Sequence, residues 1–298
     1  MEALVDWVFG PYEFAFMRRA LLVLIVISVV GGVVGTFVVH KGLAFAGDAL
    51  AHSTLAGVSV AFVAGMNVSA GALAAAVLTA LGIGWTRERA RVSYDTAIGI
   101  LFVAMFSIGI LVLSTRSSYT PDLFSFVFGD ILGVSTSDIV GALILGVAVV
   151  LFVVAFYREL LFVAYDPAMA RTVGLPARLF EYALVTMVAV AVVVALKAIG
   201  IVLVNAMLII PAATASMLVT RLQRIMVVAV GVALVASVVG LQLSFHAGVA
   251  ASPAIVLSGC ALFMGAVGLS SWRGRTRRTS AMVDAPMATP APSEQRAG

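Results

Sequence analysis

Long apolar segments, separated by short polar stretches, make up most of this 298-residue chain. Nine such segments lie at about 20–40, 43–65, 68–86, 95–114, 138–157, 180–198, 199–220, 225–245 and 252–270. Most approach the roughly 20 apolar residues that a helix needs to cross a bilayer. No ten-residue alternating pattern suggests a β-barrel. The pattern therefore predicts an all-α fold, a polytopic transmembrane helical bundle with eight or nine spans.

A shorter apolar piece, residues 123–134, lies between the fourth and fifth segments. It is too short to cross a bilayer, and Gly129-Asp130 interrupts it. We expect a re-entrant or interfacial helix there, because irregular backbone at membrane depth is tolerated only where protein or water covers it.

Arginine clusters mark four of the loops. They lie at Arg87, Arg89 and Arg91, at Arg158, Arg171 and Arg178, at Arg221 and Arg224, and at Arg273, Arg275, Arg277 and Arg278. Cytoplasmic loops carry excess Lys and Arg, and all four clusters can lie on that side. Arg18 and Arg19 do not fit, because three apolar segments separate them from Arg87. Either the N-terminus lies outside, or the segment at 43–65 does not cross fully.

The two ends of the chain differ from the apolar middle. Residues 1–17 are predicted to be an N-terminal interfacial segment, since they carry three acidic residues and precede an apolar run too long for a cleavable signal. Residues 18–272 form one transmembrane domain. Residues 273–298 are basic, then rich in Pro, Ala, Ser and Thr, and are predicted to be a disordered cytoplasmic tail.

Composition supports a membrane protein. The chain is 62% hydrophobic and 11% charged, whereas soluble domains carry roughly twice that charged fraction. Its single cysteine, Cys260, excludes an internal disulfide and any multi-cysteine metal site. The net charge of +4 resides in loops and the tail, and it does not indicate nucleic-acid binding.

An acid and an imidazole lie inside the second apolar segment, in the run Gly47-Asp48-Ala49-Leu50-Ala51-His52. Residues four apart share one face of a helix. A charge at membrane depth costs on the order of 3 kcal/mol or more, so such residues usually face a cavity and bind or conduct something. Carboxylate and imidazole together suit a divalent transition metal. The alternative is a hydrated helix end at the interface.

The loop after the fifth long segment contains a short, well-delimited helix signal. Asp166 is a good N-cap, Pro167 a good first residue, Gly174 a good stop, and Pro176 prevents continuation. The segment consists of Asp166, Pro167, Ala168, Met169, Ala170, Arg171, Thr172, Val173 and Gly174. So short a helix is marginal alone and requires docking on something, either the membrane surface or a cytoplasmic partner.

Other polar residues in the apolar segments have structural explanations. The ionisable ones are Glu181, Lys197, Asp130, Asp138 and His246. Lys197 can extend to the interface. Asn205 and Pro211 lie within one apolar segment and can break its helix. The Asn205 amide can instead form a hydrogen bond across the bundle.

Two absences limit the chemistry. No Gly-x-x-x-x-Gly-Lys-[Ser/Thr] run is present, so the sequence has no phosphate-binding loop for ATP. There is no His-Glu-x-x-His or Gly-x-Ser-x-Gly run, so hydrolysis has no support. Uphill transport would draw its energy from a partner or an ion gradient.

The sequence resembles the membrane permease subunits of ABC importers for zinc, manganese and sometimes iron. The resemblance extends over about residues 17–270 and rests most specifically on the Gly47–His52 run. Further matches are residues 17–21 and 35–39, 95–100, 128–132, 165–176 and 208–215.

The resemblance implies an ABC importer permease fold that pairs as a homodimer or with a paralogous permease. It also implies a cytoplasmic ABC ATPase on each copy and an extracytoplasmic metal-binding protein that delivers the ion. Asp48 and His52 match the acid and imidazole of the metal pathway, and Asp166–Gly174 matches the helix that couples to the ATPase. The chain would be a multi-pass protein of the bacterial plasma membrane, without enzymatic activity or a permanently bound cofactor. Ser53-Thr54 follows the histidine, at positions where many members of the family have small apolar residues. We expect these two hydroxyls to tune the pathway.

Two other functions fit the residues less well. One is a secondary carrier that uses the acid–imidazole pair as a proton relay and needs no ATPase. The other is a permease for siderophores or cobalamin, which has little use for such a pair. The metal stays open: an Asp–His pair suits zinc, manganese and ferrous iron, with a slight preference for zinc because imidazole is one of its usual ligands.

Overall fold

The structure, a computed structural model, describes residues 10–115, 129 and 131–283. Within these ranges every regular element is helical. Short 3₁₀ turns occupy Gly10–Glu13 and Ile131–Gly133. The α-helices are α1 (Ala15–His40), α2 (Ala46–Val63), α3 (Val68–Ala90), α4 (Tyr94–Ser114), α5 (Thr136–Ala155), α6 (Tyr157–Tyr165), α7 (Pro167–Thr172), α8 (Ala177–Leu218), α9 (Leu222–Ala247) and α10 (Ala251–Val283).

Nine helical segments in the described ranges are long and apolar enough to cross a bilayer. They match the nine apolar segments of the sequence to within a few residues, and the predicted class, a polytopic helical bundle, is confirmed. The second segment is the shortest, with 18 residues in α2. At 1.5 Å per residue it is about 27 Å long, slightly less than a hydrocarbon core of about 30 Å.

Two of the spans are joined within α8. They are α8a (Ala177–Leu196) and α8b (Ala198–Leu218), and the helix breaks at Gly200, the third residue of α8b, whose φ of 76° and ψ of 167° are not helical. This backbone conformation is essentially restricted to glycine. The predicted boundary between the spans, at residues 198 and 199, therefore lies next to a true break in the helix.

Two polar contacts show which helix ends share a side of the bundle. The Lys41 ammonium, just after α1, donates to the carbonyl of Val163 at 2.8 Å, and Arg87 of α3 pairs with Glu181 of α8 at 3.0 Å. Val163 lies just before the loop predicted to be cytoplasmic, so α1 ends on that side. Arg18, at the start of α1, then lies at the opposite end, which favours the outside N-terminus of the two alternatives.

Close contacts between small residues hold the helices together. A methyl group on Gly35 of α1 would lie 1.9 Å from the carbonyl oxygen of Leu208 in α8b. Likewise, a methyl group on Gly57 of α2 would lie 2.0 Å from the carbonyl oxygen of Gly71 in α3. Lipid provides no hydrophobic drive between helices, so close backbone packing of this kind supplies the contact energy.

Three predictions concern the loop and the two chain ends. The predicted re-entrant helix at residues 123–134 lies largely outside the described residues, and its described end is the 3₁₀ turn. The predicted interfacial segment, residues 1–17, is described only from residue 10, where the other 3₁₀ turn precedes α1. Helix α10 continues to Val283, beyond the predicted start of the tail at Arg273, and residues 284–298 lie outside the described ranges.

Candidate functional site

Asp48 and His52 lie on one face of α2, as the four-residue spacing predicted. Asp48 Oδ1 is 3.6 Å from His52 Nε2. Two ligands of one tetrahedral ion lie ~3.4 Å apart when each bond is ~2.1 Å long, so these atoms are spaced to hold one ion between them. Asp48 also occupies the first turn of α2, where the unpaired backbone N–H groups favour a carboxylate.

Two aromatic rings of α4 pack against His52. The His52 ring packs edge-on against Phe102 and Phe106, with centroid distances of 5.3 and 5.6 Å. Both phenylalanines lie around the middle of the 21-residue α4. His52 therefore lies beside the middle of α4, while Asp48 lies one turn nearer the start of α2. The two rings also restrict the directions in which the imidazole can point.

The site is partly open and incomplete within one chain. The side chain of Asp48 is 48% exposed and that of His52 26% exposed. A carboxylate at this depth cannot face lipid without a cost of roughly 3 kcal/mol or more. No third His, Cys, Asp or Glu joins the pair in the described part of the chain. Within one chain, the face that carries Asp48 and His52 is therefore partly open.

Asn205 of α8b contacts the site, a pairing that the sequence did not predict. Its Nδ2 donates to Asp48 Oδ1 at 2.9 Å, so the predicted hydrogen bond across the bundle exists and its acceptor is the candidate metal ligand. The amide oxygen Oδ1 is buried and has no hydrogen-bond partner among the described residues. Such an orphaned acceptor costs about 1–3 kcal/mol. The sequence offered one indication of this contact: Asp48 and Asn205, which are 157 residues apart, are both polar residues within apolar spans.

Ser53 and Thr54, which follow the histidine, form hydrogen bonds within their own helix. Both side chains are fully buried. The Ser53 hydroxyl donates to the carbonyl of Leu50 at 2.7 Å, and the Thr54 hydroxyl donates to the carbonyl of Ala51 at 2.6 Å. Both hydroxyls are therefore satisfied by their own helix, and the expectation that they tune the pathway stays a prediction.

Three of the remaining ionisable candidates have contacts away from the pair. Asp138 completes a capping box at the start of α5, and Glu181 is ion-paired with an arginine of α3. His246 lies in the last turn of α9, where its Nδ1 contacts the carbonyl one turn earlier. Asp130 and the side chain of Lys197 lie outside what the structure describes.

The short helix in the loop predicted to be cytoplasmic forms as the sequence predicted. It is α7, and Asp166 Oδ1 accepts hydrogen bonds from the backbone N–H groups of Ala168 at 3.0 Å and Met169 at 2.9 Å. Gly174 follows the helix with a φ of 84°, the left-handed conformation of a helix stop. The local sequence thus fixes both ends of this six-residue helix.

A polar cavity of about 330 Å³ lies beside α7, and Arg171 of α7 lines it. In the same cavity Arg87 pairs with Glu181, and its guanidinium lies 3.9 Å from the ring centroid of Tyr94. Burial lowers the pKa of the nearby Lys41 ammonium, Glu181 opposes that shift and Arg87 adds to it. Ends of α3, α4, α7 and α8 therefore meet in one charged region.

Comparisons of the sequence with known proteins identify its family. The profile of the ABC 3 transport family matches residues 13–270. The chain is 37% identical over 254 residues to the manganese transport system membrane protein MntC of Listeria monocytogenes, covering 85% of this chain and 90% of that protein. It is 32% identical over 270 residues to a probable iron transport system membrane protein of Haemophilus influenzae, covering 91% and 99%.

Solved structures agree as well. The fold is similar to a chain of PsaBC from Streptococcus pneumoniae in complex with Fab, with a TM-score of 0.77 and 32% identity over 88% of this chain and 95% of that one. A putative metal-chelate type ABC transporter in an inward-facing conformation has a TM-score of 0.62 at 14% identity and shares the fold. By the extent of the family match and of these relatives, the chain belongs to the ABC 3 transport family and is a multi-pass protein of the bacterial plasma membrane.

Proposed function

We propose that this chain is the membrane-spanning permease subunit of an ATP-driven importer of divalent first-row transition-metal ions. The observation that supports it most is the Asp48–His52 pair, whose ligand atoms are spaced for one ion and whose imidazole packs beside the middle of α4. The relatives are named for manganese and iron. We therefore take manganese as the main cargo and keep iron and zinc as alternatives, in place of the slight preference for zinc from ligand chemistry alone.

Energy comes from a separate cytoplasmic ATPase, because this sequence has no phosphate-binding loop. The ATPase contact is the helix at Asp166–Gly174. Two of its apolar side chains are open to solvent, Met169 at 53% and Val173 at 63%. Exposed apolar groups on a capped helix in a polar loop are suited to a groove on a partner protein. The chain itself is a transport subunit and not an enzyme.

Two copies complete the metal site. A single chain offers one carboxylate and one imidazole on a partly open face. A two-fold axis beside that face doubles both groups and gives a four-coordinate N/O site. Helix α4, whose phenylalanines pack on His52, is only 17% buried across its span within one chain. This leaves apolar surface beside the site that a second copy can cover, whether identical or a paralogous permease.

In the proposed transport cycle, the metal ion binds weakly at a site whose access alternates between the outer and the inner side of the membrane. An extracytoplasmic metal-binding protein delivers the ion, and the Asp48–His52 pair receives it as cargo without retaining it, since conduction requires exit as well as entry. ATP binding and hydrolysis move the Asp166–Gly174 helix. The charged region beside α7 transmits that movement to α3 and α8. No thiolate takes part, because Cys260 lies in α10, the last span.

Metal uptake into vesicles that contain the chain, its ATPase and its binding protein tests this proposal. Manganese, zinc and ferrous iron are supplied separately, with and without ATP, to wild type, Asp48→Ala and His52→Ala at matched protein levels. We expect ATP-dependent uptake of at least one ion and its loss in both variants.

Two control variants carry the same side chains elsewhere in the chain. Asp95→Ala removes an exposed acid from the first turn of α4, and His246→Ala removes an imidazole from the end of α9. Both should transport like wild type. Uptake that persists without the ATPase but stops with an uncoupler would indicate a secondary carrier. Competition by a siderophore or cobalamin would indicate an organic cargo. Normal transport by both site variants would reject the assignment of Asp48 and His52.

A further inference from the structure

We propose that Asn205 is a third metal ligand and the residue that selects manganese over zinc. This inference rests on the proposed function, because it assigns a role at the same transport site. It starts from an amide whose nitrogen faces the candidate ligand Asp48 while its oxygen is buried without a hydrogen-bond partner among the described residues.

The distance across the two helices suits a shared ion. Asn205 Nδ2 lies 2.9 Å from Asp48 Oδ1. Adjacent ligands of an octahedral ion with bonds of ~2.1 Å lie about 3.0 Å apart. The amide nitrogen therefore occupies a point, relative to Asp48 Oδ1, at which an oxygen ligand of a bound ion would lie. The same Asp48 oxygen faces His52 Nε2 at 3.6 Å, so amide and imidazole approach one carboxylate oxygen.

The amide presents different atoms before and after the ion arrives. An ionised carboxylate only accepts hydrogen bonds, so without an ion the amide turns its nitrogen to Asp48. The terminal torsion of asparagine is roughly two-fold, and half a turn exchanges nitrogen and oxygen with little change of shape. A cation at Asp48 favours the oxygen. That oxygen has no hydrogen bond to lose, so its desolvation is offset when it binds the ion.

The packing around Asn205 keeps the amide at this point. A methyl group on Gly47, the residue before Asp48, would lie 2.6 Å from Asn205 Oδ1. Glycine at position 47 therefore leaves the space that the amide occupies. The break at Gly200 lies five residues earlier in the chain, so α8b carries Asn205 to the site as a helix separate from α8a.

Ligand count gives the selectivity. One chain supplies an Asp48 oxygen, a His52 nitrogen and an Asn205 oxygen, and a two-fold axis doubles this set to two nitrogens and four oxygens. Six ligands rich in oxygen suit manganese, whereas zinc is usually satisfied by four. Asn205 thus favours manganese, and removing its oxygen leaves a four-ligand site that retains zinc.

Transport by the complete assembly of permease, ATPase and binding protein tests the role of Asn205. Asn205→Leu keeps the approximate size and removes both polar atoms, while Asn205→Asp keeps an oxygen and removes the N–H donor. Asn67→Ser is the matched control, because Asn67 is an asparagine at the start of α3 whose capping role serine retains. We expect Asn205→Leu to raise the KM for manganese about 10–100-fold with zinc transport close to wild type. Asn205→Asp should recover most of the manganese transport.

A binding measurement keeps the test independent of the transport cycle. Manganese bound to the purified assembly is counted by the loss of the free ion's electron paramagnetic resonance signal, and zinc by competition. Weaker manganese binding with unchanged zinc binding in Asn205→Leu supports the proposal. Equal loss of both metals, or an Asn205→Asp variant no better than Asn205→Leu, overturns it and leaves a structural amide. A wild-type assembly that transports neither metal with ATP would reject the proposed function. That result needs no Asn205 variant, so the two proposals are tested separately.

Discussion

The ion pair between Arg87 and Glu181 should be the energetically important one at the cytoplasmic end of the bundle. It joins α3 to α8 at 3.0 Å, with side-chain exposures of 35% and 12%. Arg87 also donates to the Tyr94 hydroxyl at 3.0 Å. The second carboxylate oxygen of Glu181 is buried without a hydrogen-bond partner among the described residues, so the carboxylate depends on Arg87 for its stabilisation.

The expected magnitude follows from burial. Removing one partner of a fully buried pair costs about 3–5 kcal/mol, because the other charge is left uncompensated. Arg87 is a little more than a third exposed, and solvent screening reduces the figure to about 2–3 kcal/mol when Glu181→Ala strands the guanidinium. At roughly 2 °C per kcal/mol for a chain of this size, Tm falls by about 4–6 °C. The double variant with Arg87→Ala should lose less than the sum of the two single variants, since both singles break one interaction.

Thermal unfolding of the detergent-purified protein, followed by the loss of the monodisperse peak, measures these shifts. The pair Arg178–Glu88 is the matched control: it joins the same two helices at 2.6 Å, but its side chains are 72% and 38% exposed. Glu88→Ala should cost less than about 1 kcal/mol. The reasoning is refuted if Glu181→Ala is no more destabilising than Glu88→Ala, or if the two single effects simply add.

Three further predictions concern backbone geometry. Gly35→Ala should lower Tm by several degrees, because its methyl group would lie 1.9 Å from the carbonyl oxygen of Leu208. Gly231→Ala is the control: its methyl group would meet open space, and Tm should rise slightly because alanine favours the helix more than glycine does. Gly200→Ala should cost about 1–3 kcal/mol in thermal unfolding, since alanine does not tolerate the φ and ψ found there. Asp166→Ala should weaken the local helix by about 1 kcal/mol and lower the ratio of metal transported to ATP hydrolysed. Asp166→Asn retains the cap and should keep the ratio of wild type. An unchanged ratio in Asp166→Ala would contradict the coupling role.

Features that depend on neighbouring residues could be predicted from the sequence. Length and apolar composition are enough to identify spans, because lipid requires every backbone group to be paired within the helix. The spacing of Asp48 and His52 fixes a common helical face, and the ends of α7 follow from Asp166 and Gly174. These are local relations of a few residues, which explains why the structure agrees with them.

Features that depend on helix packing could not be predicted in the same way. The contact of Asn205 with Asp48 spans 157 residues and requires α2 and α8b to be neighbours. The contact of Lys41 with Val163, 122 residues away, favours the outside N-terminus, and the sequence did not place these two residues together. Ser53 and Thr54 looked like polar groups on a path, but their hydroxyls bond to their own helix, a local competition that composition does not show.

The position of His52 beside the middle of α4 has an electrical consequence. Moving one elementary charge across a membrane potential of 100 mV is worth about 2.3 kcal/mol, so a divalent ion that crosses half of the field gains about the same amount. In a membrane that is negative inside, a cation that enters the proposed site from outside has crossed roughly half of the potential. It gains the free energy of the other half on its way to the cytoplasm. For the cargo site proposed above, the same field opposes escape of the ion to the outside and favours its release to the cytoplasm.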